Sequence, residues 1–339
     1  MGKTLDQIGL PSPELSLVEQ TSLDKRNFRK GLIFIGVATF AWSTTSIFID
    51  RLLTDHHMSA LQISLWRSLL VTIALGLFLL LRDRSQLTIS RKEIPFYFIY
   101  GLIGIGAFNL VWNMSVEINK AAVATALIYC SPVFVAIGAR FLFGEKLKAV
   151  QIMAIVINLI GCGLVAGITD PTVLLNSPAG LLMGLASGLC FAASTLFGKI
   201  ATEARRRSSG TILFYTFFFA TLGVLVWSLI VEGPSRMVPS LDGTGWALLI
   251  GLSVGPTLGG YGFFTAGLRH LPAALVSFLT TLEPPITAIL AFFILNQVMN
   301  GLQWLGTGLI VSGVLLMQGI TARRKRLNFK IANKSGTKL

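Results

Sequence analysis

Residues 121–167 read AAVATALIYCSPVFVAIGARFLFGEKLKAVQIMAIVINLIGCGLVAG, and residues 273–319 read AALVSFLTTLEPPITAILAFFILNQVMNGLQWLGTGLIVSGVLLMQG. Laid over one another without gaps, at an offset of 152, Ala121 falls on Ala273, Pro132 on Pro284, Glu145 on Gln297 and Gly161 on Gly313. Each copy is two apolar runs joined by a short polar loop. The loop in the first copy carries Lys146 and Lys148, whereas its counterpart around Asn296 and Gln297 carries no charge. Basic loops stay on the cytoplasmic side of a membrane. The two copies are therefore expected to cross in opposite directions, the inverted repeat found in many secondary transporters.

Working outward, the whole chain fits that reading. Of 339 residues 53% are hydrophobic and only 13% charged, where a soluble domain of this length carries about 25% charge. The charges gather between long apolar runs. Spans are expected near 31–50, 60–81, 95–116, 121–142, 149–168, 179–200, 211–231, 245–267, 273–295 and 302–321, because about 20 helical residues cross the apolar core of a bilayer. Gly31–Asp50 also aligns with Gly180–Lys199, so that Trp42 falls on Phe191 and the duplicated unit is five spans long. An odd number of spans per unit forces opposite orientation. The expected organisation is a tail over 1–30, a first five-helix repeat over 31–168, an external linker over 169–178, a second repeat over 179–321 and a basic tail over 322–339. With both termini in the cytoplasm, the inside segments hold 23 Lys and Arg and the outside loops hold 3, namely Arg51, Lys120 and Arg236. The formal charge of +13 is thus a topology signal, with some attraction to anionic lipid, and no nucleic-acid partner is expected.

Several chemistries are absent. Cys130, Cys162 and Cys190 lie inside apolar runs, without metal or disulfide spacing. No HExxH, P-loop or acidic metal cluster occurs, so no metal, cofactor or ATP-driven step is expected. Gly251-Leu252-Ser253-Val254-Gly255 matches the nucleophile-elbow pattern, but it lacks the strand-to-helix setting that gives the pattern meaning. The chain is not expected to be an enzyme.

Taken in order, Trp42-Ser43, Trp66-Arg67, Ser131-Pro132, Gly144-Glu145, Glu283-Pro284, Gly306 and Gly313 resemble the drug/metabolite transporter superfamily in its EamA-type branch, over about residues 28–322. Asn296-Gln297 departs from the Gly-Glu often repeated there in that family. The resemblance implies an all-α membrane protein of ten transmembrane helices. It further implies a cytoplasmic-membrane carrier of small metabolites such as amino acids, amines, cofactors or nucleotide-sugar-like compounds. It also implies that spans one, three, four, six, eight and nine line a central cavity, which makes Trp42, Trp112, Asn113, Tyr129, Tyr261 and Thr265 candidates for contact with substrate. Aromatic walls with a few polar groups suit small organic ligands, and the same side chains also serve packing and membrane interfaces.

Two charges lie inside spans. Glu283 sits about ten residues into span nine, beside Pro284 and Pro285. An intramembrane carboxylate is a functional candidate by default. Held away from water, it suits proton uptake and release; the alternative is a hydrogen bond to a neighbouring helix. Arg67 lies about seven residues into span two. It is placed to bind a carboxylate or phosphate, to snorkel to the outer interface, or to form a structural pair. Its repeat counterpart Thr216 is neutral.

The chain is expected to be a secondary carrier that moves a small organic metabolite by alternating access, as an exporter, with Glu283 carrying the coupling proton. The alternatives are uptake or exchange of an anionic metabolite anchored by Arg67 and, from another class, a membrane-embedded enzyme or sensor. Its expected partners are a small-molecule substrate and membrane lipid, as a monomer or homodimer.

Overall fold

The computed structural model describes residues 17–144, 149–165, 178–203, 207–295 and 300–316, and all regular structure among them is helical. Glu145, Lys146 and Lys148, the Asn296-Gln297 loop, linker residues 169–177 and the basic tail lie outside the described residues. Six spans are long and apolar enough to cross a membrane as continuous stretches: Arg26–Thr54, Ala60–Arg82, Arg91–Ile118, Pro178–Glu203, Ser209–Val231 and Gly243–Leu268. Shorter apolar helices, Ser131–Phe143, Ala149–Val165 and Gly301–Leu316, complete the fourth, fifth and tenth spans. The ninth is the pair Ala273–Thr280 and Glu283–Leu295. The protein is a ten-helix membrane bundle.

Its outer surface is apolar where that of a soluble fold is polar. Leu81, Phe141 and Phe293 are among its most exposed apolar side chains, while Ser43, Ser64, Asn109, Thr216 and Thr257 are fully buried. Buried hydroxyls answer to the helix itself: Thr39 donates to the Ile35 carbonyl, Ser43 to Thr39 and Ser64 to Ala60, at 2.7–2.8 Å. Such bonds satisfy polar groups where no water is present. Polar termini set the ends. Ser59 and Gln62 form a capping box at the start of span two, and Asp242 accepts from the Gly245 N–H at the start of span eight.

Two backbone irregularities occur in both halves. Spans three and eight each contain a π-helical stretch, Tyr100–Ala107 and Ser253–Gly259. Spans four and nine are each broken by a two-residue turn, at Tyr129-Cys130 and at Thr281-Leu282. Proline explains the breaks. Pro132 and Pro284 have no N–H to return to the carbonyl one turn back, and their rings crowd that carbonyl. The chain tightens instead: the Cys130 N–H donates to Leu127, and the Leu282 N–H to Leu279, both at 3.2 Å. The loop expected between spans three and four is not a break in the helix, since Phe108–Ile128 is helical throughout and the interruption falls at the proline.

Small residues set the helix spacing. A Cβ on Gly161 would lie 2.8 Å from the Gly306 carbonyl oxygen, and one on Gly306 would lie 2.6 Å from that of Gly161. Spans five and ten therefore cross backbone to backbone. Gly184 and Gly188 of span six, one turn apart, likewise meet Leu127 and Cys130 of span four, inside the monomer.

Candidate functional site

The broken fourth and ninth spans meet the first span at mid-molecule. The Thr287 hydroxyl donates to the Ser43 carbonyl at 3.1 Å, and the Ser43 hydroxyl oxygen lies 3.4 Å from the Glu283 carbonyl oxygen. These contacts place the start of the Glu283–Leu295 helix against the turn at Thr44. A narrow cavity opens there, lined by Trp42, Thr45, Arg67, Phe108, Trp112, Ile128, Tyr129, Phe191, Tyr261 and Glu283. Both halves contribute to the wall.

One pole of the cavity is acidic. The Tyr129 hydroxyl, at the break in span four, donates to Glu283 Oε2 at 2.5 Å. Residues facing each other across the two breaks are thus joined side chain to side chain. The neighbouring turn is held separately, by Asn158 Nδ2 donating to Thr281 Oγ1 at 2.8 Å.

The other pole is basic. Arg67 is 2% exposed. Of the readings open for it, snorkelling to the interface does not occur. Its Nε donates to Thr257 Oγ1 at 2.7 Å, and its Nη1 is buried without a partner. Arg67 and Glu283 interact through space but are not paired directly, since their hydrogen bonds go to Thr257 and Tyr129. Two opposite charges therefore border one cavity without neutralising each other at contact distance.

The remaining wall is aromatic. Trp42 lies 5.1 Å from Tyr261 in a T-shaped arrangement, 5.0 Å from Phe264 and 5.7 Å from Phe191, ring centre to ring centre. A Cβ on Gly260 would sit 2.3 Å from the Trp42 indole nitrogen, so glycine makes the room for that ring. Edge-to-face contacts fix these rings in orientation.

The structure brings Trp42, Arg67, Trp112, Tyr129, Tyr261 and Glu283 together on this cavity and leaves Asn113 and Thr265 off its lining. Asn113 Nδ2 donates to Ser64 Oγ at 2.8 Å, tying span three to span two. Thr265 is buried one turn beyond Tyr261, with its hydroxyl unpartnered. Reading the residues alone missed Thr45, Phe108, Ile128 and Phe191. Phe191 had a signal, its alignment with Trp42 in the repeat. Ser253 of the elbow-like pattern donates to the Leu249 carbonyl at 2.7 Å, within a helix, and forms no strand-to-helix elbow.

Charge gathers at one end of the bundle. Lys199 is buried and donates to the carbonyls of Leu268 and Leu271 at 2.8 and 2.7 Å, capping span eight, while pairing with Glu203 at 2.5 Å. Arg207 pairs with Glu93 at the start of span three, and hydrogen bonding to that carboxylate holds the guanidinium above its usual value. His270 is held below the usual imidazole range by partial burial and by Lys30, Arg269 and Lys199, a mark of the positive field at this end.

Comparison with known proteins agrees with this architecture. A family described as the EamA-like transporter family matches residues 29–167 and 178–318, one match on each half. An "Uncharacterized inner membrane transporter YicL" from Salmonella typhimurium is 24% identical over 316 residues, 88% of this chain and 98% of its own. A "Probable amino-acid metabolite efflux pump" from Escherichia coli is 25% identical over 285 residues, covering 77% of this chain and 94% of its own. A solved crystal structure aligns with a TM-score of 0.67 at 16% identity, over 84% of this chain and 96% of its own, which speaks for the fold alone. These relatives indicate a multi-pass membrane transporter rather than an enzyme, and by the family match on both halves the chain belongs to the EamA-like transporter family.

Proposed function

We propose that this transporter exports small amino-acid metabolites across the cytoplasmic membrane by alternating access, exchanging them for protons carried on Glu283. The observation that carries the reading is a pair of opposite charges on one aromatic-walled cavity, Arg67 bonded to Thr257 and Glu283 bonded to Tyr129. An amino acid is a zwitterion. Its carboxylate suits the planar guanidinium of Arg67, its ammonium suits Glu283, and an apolar side chain suits the faces of Trp42, Phe108 and Phe191. The names of the efflux-pump relatives point the same way.

Coupling follows from competition for one carboxyl. Ionised Glu283 holds the substrate's ammonium; protonated Glu283 does not. A proton arriving from outside therefore displaces substrate outward, and its loss to the cytoplasm readies the site again. In this reading the repeats 31–168 and 179–321 rock about the cavity. The basic segments, including the end marked by Lys199, Arg207 and Arg269, face the cytoplasm together with both termini. The small-molecule site needs no second copy of the chain.

The test is flux in proteoliposomes under an imposed pH gradient. The probes are L-phenylalanine, 2-phenylethylamine, which lacks the carboxylate, and 3-phenylpropionate, which lacks the amine. Preference for L-phenylalanine, with gradient-driven accumulation, is the expected result. Gradient-independent movement of 3-phenylpropionate alone would replace this reading with anion exchange on Arg67, the alternative that the unpartnered Nη1 favours.

A further inference from the structure

We infer that Thr257 is a positioning residue for Arg67, and that the proline beside it creates the position. The inference rests on Arg67 being the group that receives the substrate's carboxylate. Pro256 lies inside the π-helical stretch Ser253–Gly259 of span eight. In a regular helix the N–H at position 256 would donate to the Leu252 carbonyl, and proline has none. The π-helical register shifts that carbonyl toward residue 257, and the Thr257 hydroxyl donates to it as well, to Leu252 O at 2.7 Å across five residues. This bond fixes the direction of the hydroxyl proton. The oxygen's lone pairs are then turned outward, and one accepts from Arg67 Nε at 2.7 Å. The relay runs from a proline-altered backbone, through one hydroxyl, to a guanidinium in the other half of the molecule.

Thr257 and Arg67 are both buried, at 0% and 2% exposure. The Nε bond uses the one N–H on the stem side of the guanidinium. It leaves Nη1 with no partner while the side chain lines the cavity. Holding Nε therefore sets the plane in which the rest of the guanidinium is presented, which decides whether a carboxylate is met by one donor or two. Serine keeps the oxygen that makes this relay; valine keeps the shape and removes it.

Two measurements test the assignment. The first needs no ligand: NMR of protein labelled with nitrogen-15 at arginine Nε, with the Arg67 signal identified by its loss in Arg67→Lys. Slow exchange of the Nε proton in wild type and in Thr257→Ser, and fast exchange in Thr257→Val, is the expected pattern. Equal exchange in wild type and Thr257→Val would overturn the inference. The second is proteoliposome flux. Thr257→Val is expected to raise the KM for L-phenylalanine about 10-fold at little change in kcat, to leave 2-phenylethylamine unaffected, and to be rescued by Thr257→Ser. A loss shared equally by both probes would make Thr257 a packing residue and overturn the inference. If Arg67→Ala does not change discrimination between the two probes, the carboxylate reading of the site fails, whereas discrimination lost in Arg67→Ala but kept in Thr257→Val defeats the role of Thr257 alone.

Discussion

Spans four and nine have the same backbone and different chemistry. Both turn at the same repeat position, both restart on a proline-bearing helix, and both place their first helical residue at mid-molecule. In span four that residue is Ser131, fully buried with its hydroxyl unpartnered; in span nine it is Glu283, bonded to Tyr129. Spans two and seven differ in the same way. Arg67 binds Thr257 in the other half, while its counterpart Thr216 donates to its own helix at Ile212. The duplicated frame supplies breaks and crossings in pairs, and the charges are added once. A symmetric pocket would hold like groups opposite each other; breaking the symmetry in the side chains alone puts one positive and one negative group on the cavity wall.

That contrast can be broken by mutating counterparts together. The largest effect is expected at the basic pole. Arg67→Ala should lower L-phenylalanine transport about 100-fold, the order expected for a lost charge-assisted bond, while Thr216→Ala should change it less than about twofold. Similar losses in both would make the two spans equivalent and remove the special role of Arg67. A middle effect is expected at the acidic pole. Tyr129→Phe removes the donor to Glu283 and should slow gradient-driven flux about 10-fold. Thr281→Val at the counterpart position cuts the bond from Asn158 and should lower thermal stability without changing the pH dependence of flux. The smallest effects should be symmetric. Pro132→Ala and Pro284→Ala each return one helical donor and should slow transport by a similar factor of about 2–3. A large difference between the two prolines would mean that the breaks are not equivalent.

Much of this frame could be read from the chain. The 152-residue offset, the glycines at positions 161 and 306 and the mid-span prolines are local signals. They rest on helix length, close approach and the missing proline donor. The charges Glu283 and Arg67 also stood out, because charge inside an apolar run is costly. The facing of each helix was harder to read. Lipid and neighbouring helices are both apolar, so an even apolar run carries no stripe to show which side turns inward. Asn113 therefore read as a cavity group and bonds Ser64 instead, while Thr45 and Phe108 line the cavity without any mark in the sequence. The link from Arg67 to Thr257 spans 190 positions, and it depends on the π-helical stretch around Pro256, which no local pattern records. Lys199, at the end of span six, folds back over the end of span eight to reach two carbonyls, a contact between spans that no local pattern records.

The central question is whether the Glu283 carboxyl exchanges protons with the solution. Glu283→Gln keeps size and hydrogen-bonding capacity but cannot release a proton. The deciding measurement is L-phenylalanine flux in proteoliposomes containing wild type or Glu283→Gln, each with and without an imposed pH gradient. The account predicts that the gradient accelerates wild-type transport strongly and leaves the Gln variant unresponsive, with the variant still folded as judged by an unchanged melting temperature. A wild-type flux that ignores the gradient, or a Gln variant that responds to it normally, would contradict the account and leave Glu283 as a contact between helices.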